Sequence, residues 1–358
     1  MKNLEIRLSD NLSSKPSDWN DVGFGNVFTD HVFNMKYDKK RGWHDAEICP
    51  IADAINLHPA VRVLHYGQGV FEGLKLYHFK DNQMAFFRLD CHLKRMQNSA
   101  RRLTLPNFDR QFVKEAIVKL VEIEKSWVPD VPGSALYVRP NFYGSSESLG
   151  VSPSDEYNFT VMLSPVKNYY ENSSDTVKIL TEEVQSRAFP GGTGNVKAIG
   201  NYASSLQASN KAAELGYDQV LWLDARDHKY IEEVGTMNIF FVIDGKLVTP
   251  ELTDSIMPGM TRDSLLKLAK EMGIPVEERK IEIAEIFKAS EDGRLTECFG
   301  SGTAVTVCPV GQIGWRDSDI SIETGGENSI SKRLQTELSA LHHGVKADRY
   351  GWLTVVGS

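Results

Sequence analysis

The chain has 358 residues, 41% of them hydrophobic and 25% charged, with a net charge of −8. That length can bury a large core and predicts two domains, and the acidic balance argues against nucleic acid or an anionic membrane as partner. No apolar run approaches the ~18 residues of a membrane span, and the opening MKNLEIRLSD lacks the apolar core of a signal peptide.

Cys49, Cys91, Cys298 and Cys308 are irregularly spaced and form neither a disulfide framework nor a zinc pattern. A reducing cytoplasm is the expected compartment. The histidines include no HExxH and no paired metal spacing, so no metal site is expected. His342 and His343, adjacent near the C-terminus, are expected to be exposed.

Residues 1–20 are polar and read as extended or partly disordered. Phe24 to Phe33 alternates apolar and polar residues, which predicts a half-buried strand. Val61 to Leu64 predicts another strand, entering His65-Tyr66-Gly67-Gln68-Gly69-Val70-Phe71-Glu72-Gly73, where the glycines suggest close backbone approach. A hairpin is expected from Leu74–Phe79 and Met84–Leu89 around a turn at Asp81-Asn82.

A helix from about Asp90 to Leu103 carries Leu93, Met96, Ala100 and Leu103 on its core face, with Arg95 beside that stripe. Asp109 is placed to cap a second helix bearing Phe112, Ala116, Ile117, Leu120 and Val121. Strands follow at Ala135–Tyr143 and Tyr157–Val166, so the first domain, 1–166, reads as α+β.

The polar segment Lys167–Thr176 is the candidate linker to a second domain, 177–358. There, strands are expected at Val177–Thr181, Gln219–Leu223 and Asn238–Ile243, the last turning back at Asp244-Gly245 into Leu247-Val248. A helix from about Tyr202 to Leu215 stops at Gly216, and another after Pro258-Gly259-Met260-Thr261 stops at Gly273. Leu295–Phe299 and Ala304–Val307 flank the expected turn Gly300-Ser301-Gly302-Thr303. A last helix, about Ser331–Leu341, precedes a short strand.

One lysine is set apart from other charges. Lys197, in Gly191-Gly-Thr-Gly-Asn-Val-Lys197-Ala-Ile-Gly-Asn-Tyr202, has no charged neighbour between Arg187 and Lys211. A free lysine is almost entirely protonated at pH 7; apolar surroundings disfavour the ammonium, and a lysine so tuned attacks carbonyls to form Schiff bases. Taken alone, it reads as a surface loop lysine between flexible glycines, and only partners elsewhere in the chain give it the other meaning. A Walker phosphate loop is excluded, because the glycine spacing is too short and Ala198 stands where Ser or Thr is needed.

Three places suit a phosphate: the helix start at Met260 and Thr261, with Thr261 as capping hydroxyl; the glycine-rich Gly300–Thr303; and the fork donor Arg95. Glu233, beside Gly235 and Thr236 and just ahead of an apolar strand, is placed for burial, and a buried carboxylate needs a partner. A Schiff-base lysine, an acid for a ring nitrogen and several phosphate holders together point to pyridoxal phosphate.

With these pieces in order, the chain resembles a branched-chain amino acid aminotransferase, a fold type IV pyridoxal phosphate enzyme. The resemblance runs from about Phe24 to about residue 350, through FGNVFTDH, LHYGQGVFEG, LYVRP, SLGVS, GNVKAIGNY, EVGTMNIF, MPGMTRDSLL and FGSGTAVTVCPV. It implies an α+β two-domain fold, with a small N-terminal domain and a larger cofactor-binding domain built on a β-barrel-like core.

The resemblance also implies roles. Lys197 would hold pyridoxal 5′-phosphate as a Schiff base and shuttle the proton. Glu233 would pair with the pyridine nitrogen and Tyr202 with the phenolic oxygen. Arg95, Thr303 and the Met260 and Thr261 amides would hold the phosphate, with Arg187 beside the cofactor. The amides around Thr303 and Ala304, with Thr236, would receive the substrate α-carboxylate. Phe24, Tyr66 and Tyr137 would wall an aliphatic pocket, and Arg139 would meet the distal carboxylate of glutamate. Tyr137 and Arg139, two apart on a strand, share a face. Tyr66 and Val151 would reach the neighbouring subunit's site in a homodimer.

The implied reaction is ping-pong transfer between L-leucine, L-isoleucine or L-valine, with their 2-oxo acids, and the glutamate/2-oxoglutarate pair. A D-amino acid aminotransferase or an aminodeoxychorismate lyase is the alternative within this fold. LYVRP and EVGTMNIF favour the branched-chain reading. A binding protein without turnover is the alternative outside enzymes, opposed by Lys197, Glu233 and Tyr202 standing together. One departure concerns a redox CxxC that some members carry: Val305 replaces its first cysteine, leaving Cys308 alone.

Overall fold

The structure, a computed structural model, describes residues 3–80, 83–167, 176–323 and 326–357. The expected turn at Asp81-Asn82 lies outside them, as does the expected linker apart from Lys167 and Thr176. The chain divides into two compact units. One comprises Met1–Glu171, Val196–Gly200 and Leu341–Ser358, the other Asn172–Asn195 and Asn201–Ala340.

The first unit is a sheet whose strands run, in spatial order, Glu5–Ile6, Gly42–Pro50, His31–Asp38, Glu156–Val166, Ala135–Gly144, Leu74–His78, Met84–Phe87 and Leu353–Val356. Gly69–Phe71 pairs beside them on Ala135–Gly144. All pairings are antiparallel except that of Glu5–Ile6. Alternation along the strands puts Val70, Leu74, Leu76, Leu136, Val138 and Phe142 on one face, in a core closed by two helices, Leu89–Arg102 and Arg110–Ile123. Burying each large apolar side chain there contributes roughly 1.5–3 kcal/mol. The Asp109 carboxylate accepts from the Gln111 and Phe112 amides and caps the second helix, as its position predicts.

The second unit is a closed barrel of six strands in the order Ile231–Val234, Gln219–Leu223, Val177–Glu182, Thr306–Trp315, Leu295–Gly302 and Met237–Ile243, the last pairing back onto the first. Lys246–Pro250, Val276–Arg279 and Ser318–Ser321 extend it. A closed barrel leaves no unpaired edge in the ring. Mixed sheets, helices and this barrel make up the α+β architecture that the resemblance implies.

Several local expectations are corrected. Val61–Leu64 is not a strand: Arg62–Tyr66 is a helix, closed by Gly67 at φ 61°. The strand expected at Phe24–Phe33 begins only at His31, after turns. The helix expected from Tyr202 to Leu215 is broken into Gly200–Ala203 and Leu206–Glu214. Gly300 and Gly302 are strand residues, and the turn falls at Thr303–Val305. His342 is buried, not exposed, because its ring stacks on Tyr77 at 4.2 Å and meets Phe87 edge-on at 4.5 Å.

Candidate active site

In the first unit the backbone around Lys197 is stitched to the short strand Gly69–Phe71. Phe71 N–H donates to the Lys197 carbonyl at 3.1 Å and Ile199 N–H to the Gly69 carbonyl at 3.1 Å. The Lys197 N–H itself donates to Ser99 Oγ at 3.0 Å. A side chain at Gly69 would press on Ile199 at 3.0 Å and on Tyr143 at 3.2 Å, so the close approach foreseen for this glycine segment is real. The Lys197 ammonium nitrogen then lies 4.7 Å from the centre of the Phe71 ring.

The same ring has a second cation. The Arg139 guanidinium stands 4.7 Å from it and donates to the Tyr137 hydroxyl at 3.0 Å. Phe24 packs edge-on against Tyr137 at 5.0 Å. Arg139 Nε is buried without a hydrogen-bond partner among the described residues. The structure thus groups Lys197, Phe24, Tyr137 and Arg139, and adds Phe71, which the sequence reading did not name.

Arg95 is buried in the helix Leu89–Arg102. Its Nε and Nη2 donate to the two oxygens of Glu72 at 2.7 and 2.8 Å, and His92 Nδ1 lies 2.8 Å from Glu72 Oε2. Burial pushes the Glu72 carboxyl up, but Arg95 and His92 overcome it and hold the group well below the ordinary carboxylate range. Glu72 and His92 went unread. A signal existed: Glu72 falls in the Val70, Leu74, Leu76 register, where a charge on the core face must have a partner. Tyr66 and Val151 lie elsewhere, on the surface, with the Tyr66 hydroxyl donating to the Leu149 carbonyl.

In the second unit Glu233 is buried in strand Ile231–Val234. Its Oε1 accepts from the Met257 N–H at 2.7 Å and from Asn238 Nδ2 at 3.3 Å, and Oε2 lies 3.0 Å from Arg187 Nε. Arg187 Nη2 donates to the Gly194 carbonyl at 3.4 Å and to that of Ser255. Register brings the remaining pieces to the same end of the barrel. Asn238 pairs with Ser301, so the turn at Gly235-Thr236 and the turn at Thr303-Ala304 are neighbours.

The helix Met260–Glu271 starts there too, since any side chain at Gly259 would overlap the Asn238 carboxamide. The residue flanking the helix start is Gly259, with no side-chain cap; Thr261 is buried inside the first turn and is not the cap expected of it. The first amides of that helix lack intrahelical acceptors, which suits an anion. Tyr202 is half-buried in the short helix Gly200–Ala203.

The sequence model of amino-transferase class IV matches residues 69–313. The chain belongs to the class IV aminotransferases. It is 44% identical over 355 residues, 99% of the chain and 97% of the relative, to branched-chain-amino-acid aminotransferase 2 of Bacillus subtilis. Among solved structures, the branched-chain amino acid aminotransferase of Escherichia coli superposes with a TM-score of 0.75 at 29% identity, covering 90% of this chain and 98% of that one. A T.th. branched-chain amino acid aminotransferase, complexed with N-(5′-phosphopyridoxyl)-L-glutamate, gives a TM-score of 0.74 at 27% identity, covering 92% and 99%. Within its class the chain therefore belongs with the branched-chain-amino-acid aminotransferases, and the transaminase reading stands over the D-amino acid and lyase alternatives.

Proposed function

We propose that the chain exchanges amino groups between L-leucine, L-isoleucine or L-valine and 2-oxoglutarate in a ping-pong cycle, with pyridoxal 5′-phosphate as the carrier. The observation that carries this reading is the row on one sheet face: a lysine amine, the Phe71 ring, then Arg139 and Tyr137. It sets a carbonyl-reactive group and a carboxylate receptor against one aromatic ring.

The residues present fit that cofactor. A carboxylate fixed by two N–H donors suits a protonated ring nitrogen, and the uncapped helix start at Met260 and Thr261 suits a phosphate. The buried Ser301 hydroxyl, without a hydrogen-bond partner among the described residues, adds a donor beside them. Pyridoxal phosphate, when bound, supplies an aldehyde that condenses with amines and a ring that accepts the electron pair released at the substrate Cα.

The chain's own residues do the rest. Lys197 holds the cofactor and moves the proton. Glu233, kept in place by Met257, Asn238 and Arg187, pairs with the ring nitrogen, and Tyr202 with the phenolic oxygen. Arg95, Thr303, Met260 and Thr261 grip the phosphate, Arg95 being oriented by Glu72. Thr236, Thr303 and Ala304 receive the α-carboxylate. Phe24 and Tyr137 line the aliphatic side, Tyr66 reaches the neighbouring subunit's site, and Arg139 meets the distal carboxylate of glutamate.

A homodimer completes this reading. Leu64, Tyr66, Leu149 and Val151 are exposed apolar side chains, Val151 at 84%, on neighbouring segments joined by the Tyr66 to Leu149 hydrogen bond. Such a patch suits a partner subunit. Among the described residues no helix is long and apolar enough to cross a membrane, and a cytoplasmic location goes with the reading.

Borohydride reduction of the protein loaded with pyridoxal phosphate, followed by peptide mass mapping, tests the assignment. The pyridoxyl label is expected on Lys197 alone and is lost in Lys197→Ala. A label on a different lysine in the unaltered protein would overturn it.

A further inference from the structure

The sheet face that carries the half-buried Arg139 also holds a buried cation. Along Leu74–His78, Leu74 and Leu76 enter the hydrophobic core with Leu136 and Val138. Lys75 and Tyr77 therefore stand on the opposite face, with Tyr137 and Arg139. Lys75 is the direct cross-strand partner of Tyr137. Arg139, two residues further along, is its diagonal neighbour, at a Cα separation of roughly 7–8 Å.

Lys75 is only 7% exposed. Burial lowers its pKa to about 8, which leaves the ammonium the majority form at neutral pH. The adjacent His342, stacked on Tyr77, is held well below the ordinary histidine range by burial, then by the positive charges of His343 and Lys75. A lysine is among the costliest side chains to bury.

We propose that Lys75 is a second cationic determinant for the distal carboxylate of the dicarboxylate substrate, acting with Arg139 and the Tyr137 hydroxyl in the glutamate half-reaction. This deepens the function proposed above and rests on its placement of the substrate's amino end at Lys197.

The physical need is plain. One pocket must accept an aliphatic chain in one half-reaction and a carboxylate in the other. A carboxylate offers about four lone-pair sites, more than the planar fork of Arg139, which already gives one donor to Tyr137, can fill alone. Lysine brings three donors on a flexible stem. Its head can turn toward a carboxylate and withdraw from an aliphatic chain, leaving its methylenes as apolar surface. A rigid guanidinium cannot do both.

The test uses the holoenzyme and compares Lys75→Met, Lys75→Arg and Arg139→Gln in both half-reactions. Methionine fills the lysine stem's volume, so the fold is expected to survive; Lys75→Arg keeps the charge. For Lys75→Met, KM for 2-oxoglutarate and for glutamate is expected to rise roughly tenfold or more, the loss of one charge-assisted hydrogen bond. KM for L-leucine should change less than about twofold, kcat should hold, and Lys75→Arg should recover most of the loss.

Selective loss in Arg139→Gln with none in Lys75→Met would overturn the inference and leave the pocket reading intact. Loss in neither would remove the distal carboxylate from this face and both readings with it. Equal weakening of leucine and 2-oxoglutarate in Lys75→Met, unrelieved by Lys75→Arg, would mean that Lys75 is structural and would also overturn it.

Discussion

Glu232 and Glu233 are adjacent in sequence, both buried, and held very differently. Glu233 accepts from two N–H groups and lies against Arg187. Glu232 accepts from the Ser255 hydroxyl on Oε1, while its Oε2 has no hydrogen-bond partner among the described residues. Desolvation, aided by the negative charge of Glu233, raises the Glu232 carboxyl to about 7 despite Ser255 and Arg187. In the unfolded chain a glutamate titrates near 4.5. Between those values the folded state binds the extra proton, so stability falls as pH rises from about 4.5 to 7, the lower limit being that unfolded value. Glu232→Gln mimics the protonated form. Thermal unfolding should therefore find this variant more stable than the parent at pH 8 and nearly equal to it at pH 4. Equal melting shifts at both pH values would remove Glu232 from this role.

At the scale of elements, the positions of many strands and helices were legible because their periods were clean. The stripe Leu93, Met96, Ala100 in a helix and the unbroken apolar run of Ile239 to Ile243 are examples. What failed has physical causes. IEEV at residues 231–234 carries two carboxylates, so its strand character depends on partners that come from positions 187, 238, 255 and 257. Gly42–Pro50 mixes charge into a strand and was not read at all.

Val61–Leu64 has β-branched residues, yet the backbone turns into a helix that Gly67 can end in the left-handed region. Candidate site residues were read from motifs one segment at a time. Their supports, Glu72, His92 and Asn238, become visible only when strands and helices are brought together.

Gly73 belongs to this scale. A methyl group there would overlap the Tyr137 hydroxyl, so the glycine just ahead of strand Leu74–His78 makes room for the tyrosine of the neighbouring strand. Gly73→Ala should displace Tyr137 and raise KM for L-leucine roughly tenfold or more, in keeping with the cost of overpacking. The affinity of the apo-protein for pyridoxal phosphate should be nearly unchanged. Kinetics and a cofactor titration on one preparation check both halves; a weaker cofactor with an unaltered KM would contradict the placement of Tyr137.

For the whole molecule, the exposed apolar patch of Leu64, Tyr66, Leu149 and Val151 carries the expectation of a dimer. Leu149→Glu puts a charge into that patch, and an unpaired charge buried at an interface is costly. Sedimentation should find the parent chain as a dimer and this variant shifted toward monomer, with activity falling in parallel. A monomeric parent with full activity would contradict it.

The most direct measurement of the central claim is the visible spectrum of the protein purified with pyridoxal phosphate, recorded before and after L-leucine and then after 2-oxoglutarate. A yellow band that bleaches with L-leucine and returns with 2-oxoglutarate is the predicted result, since it reports both half-reactions on one chain. A band indifferent to L-leucine, or no band after incubation with the cofactor, would contradict the claim.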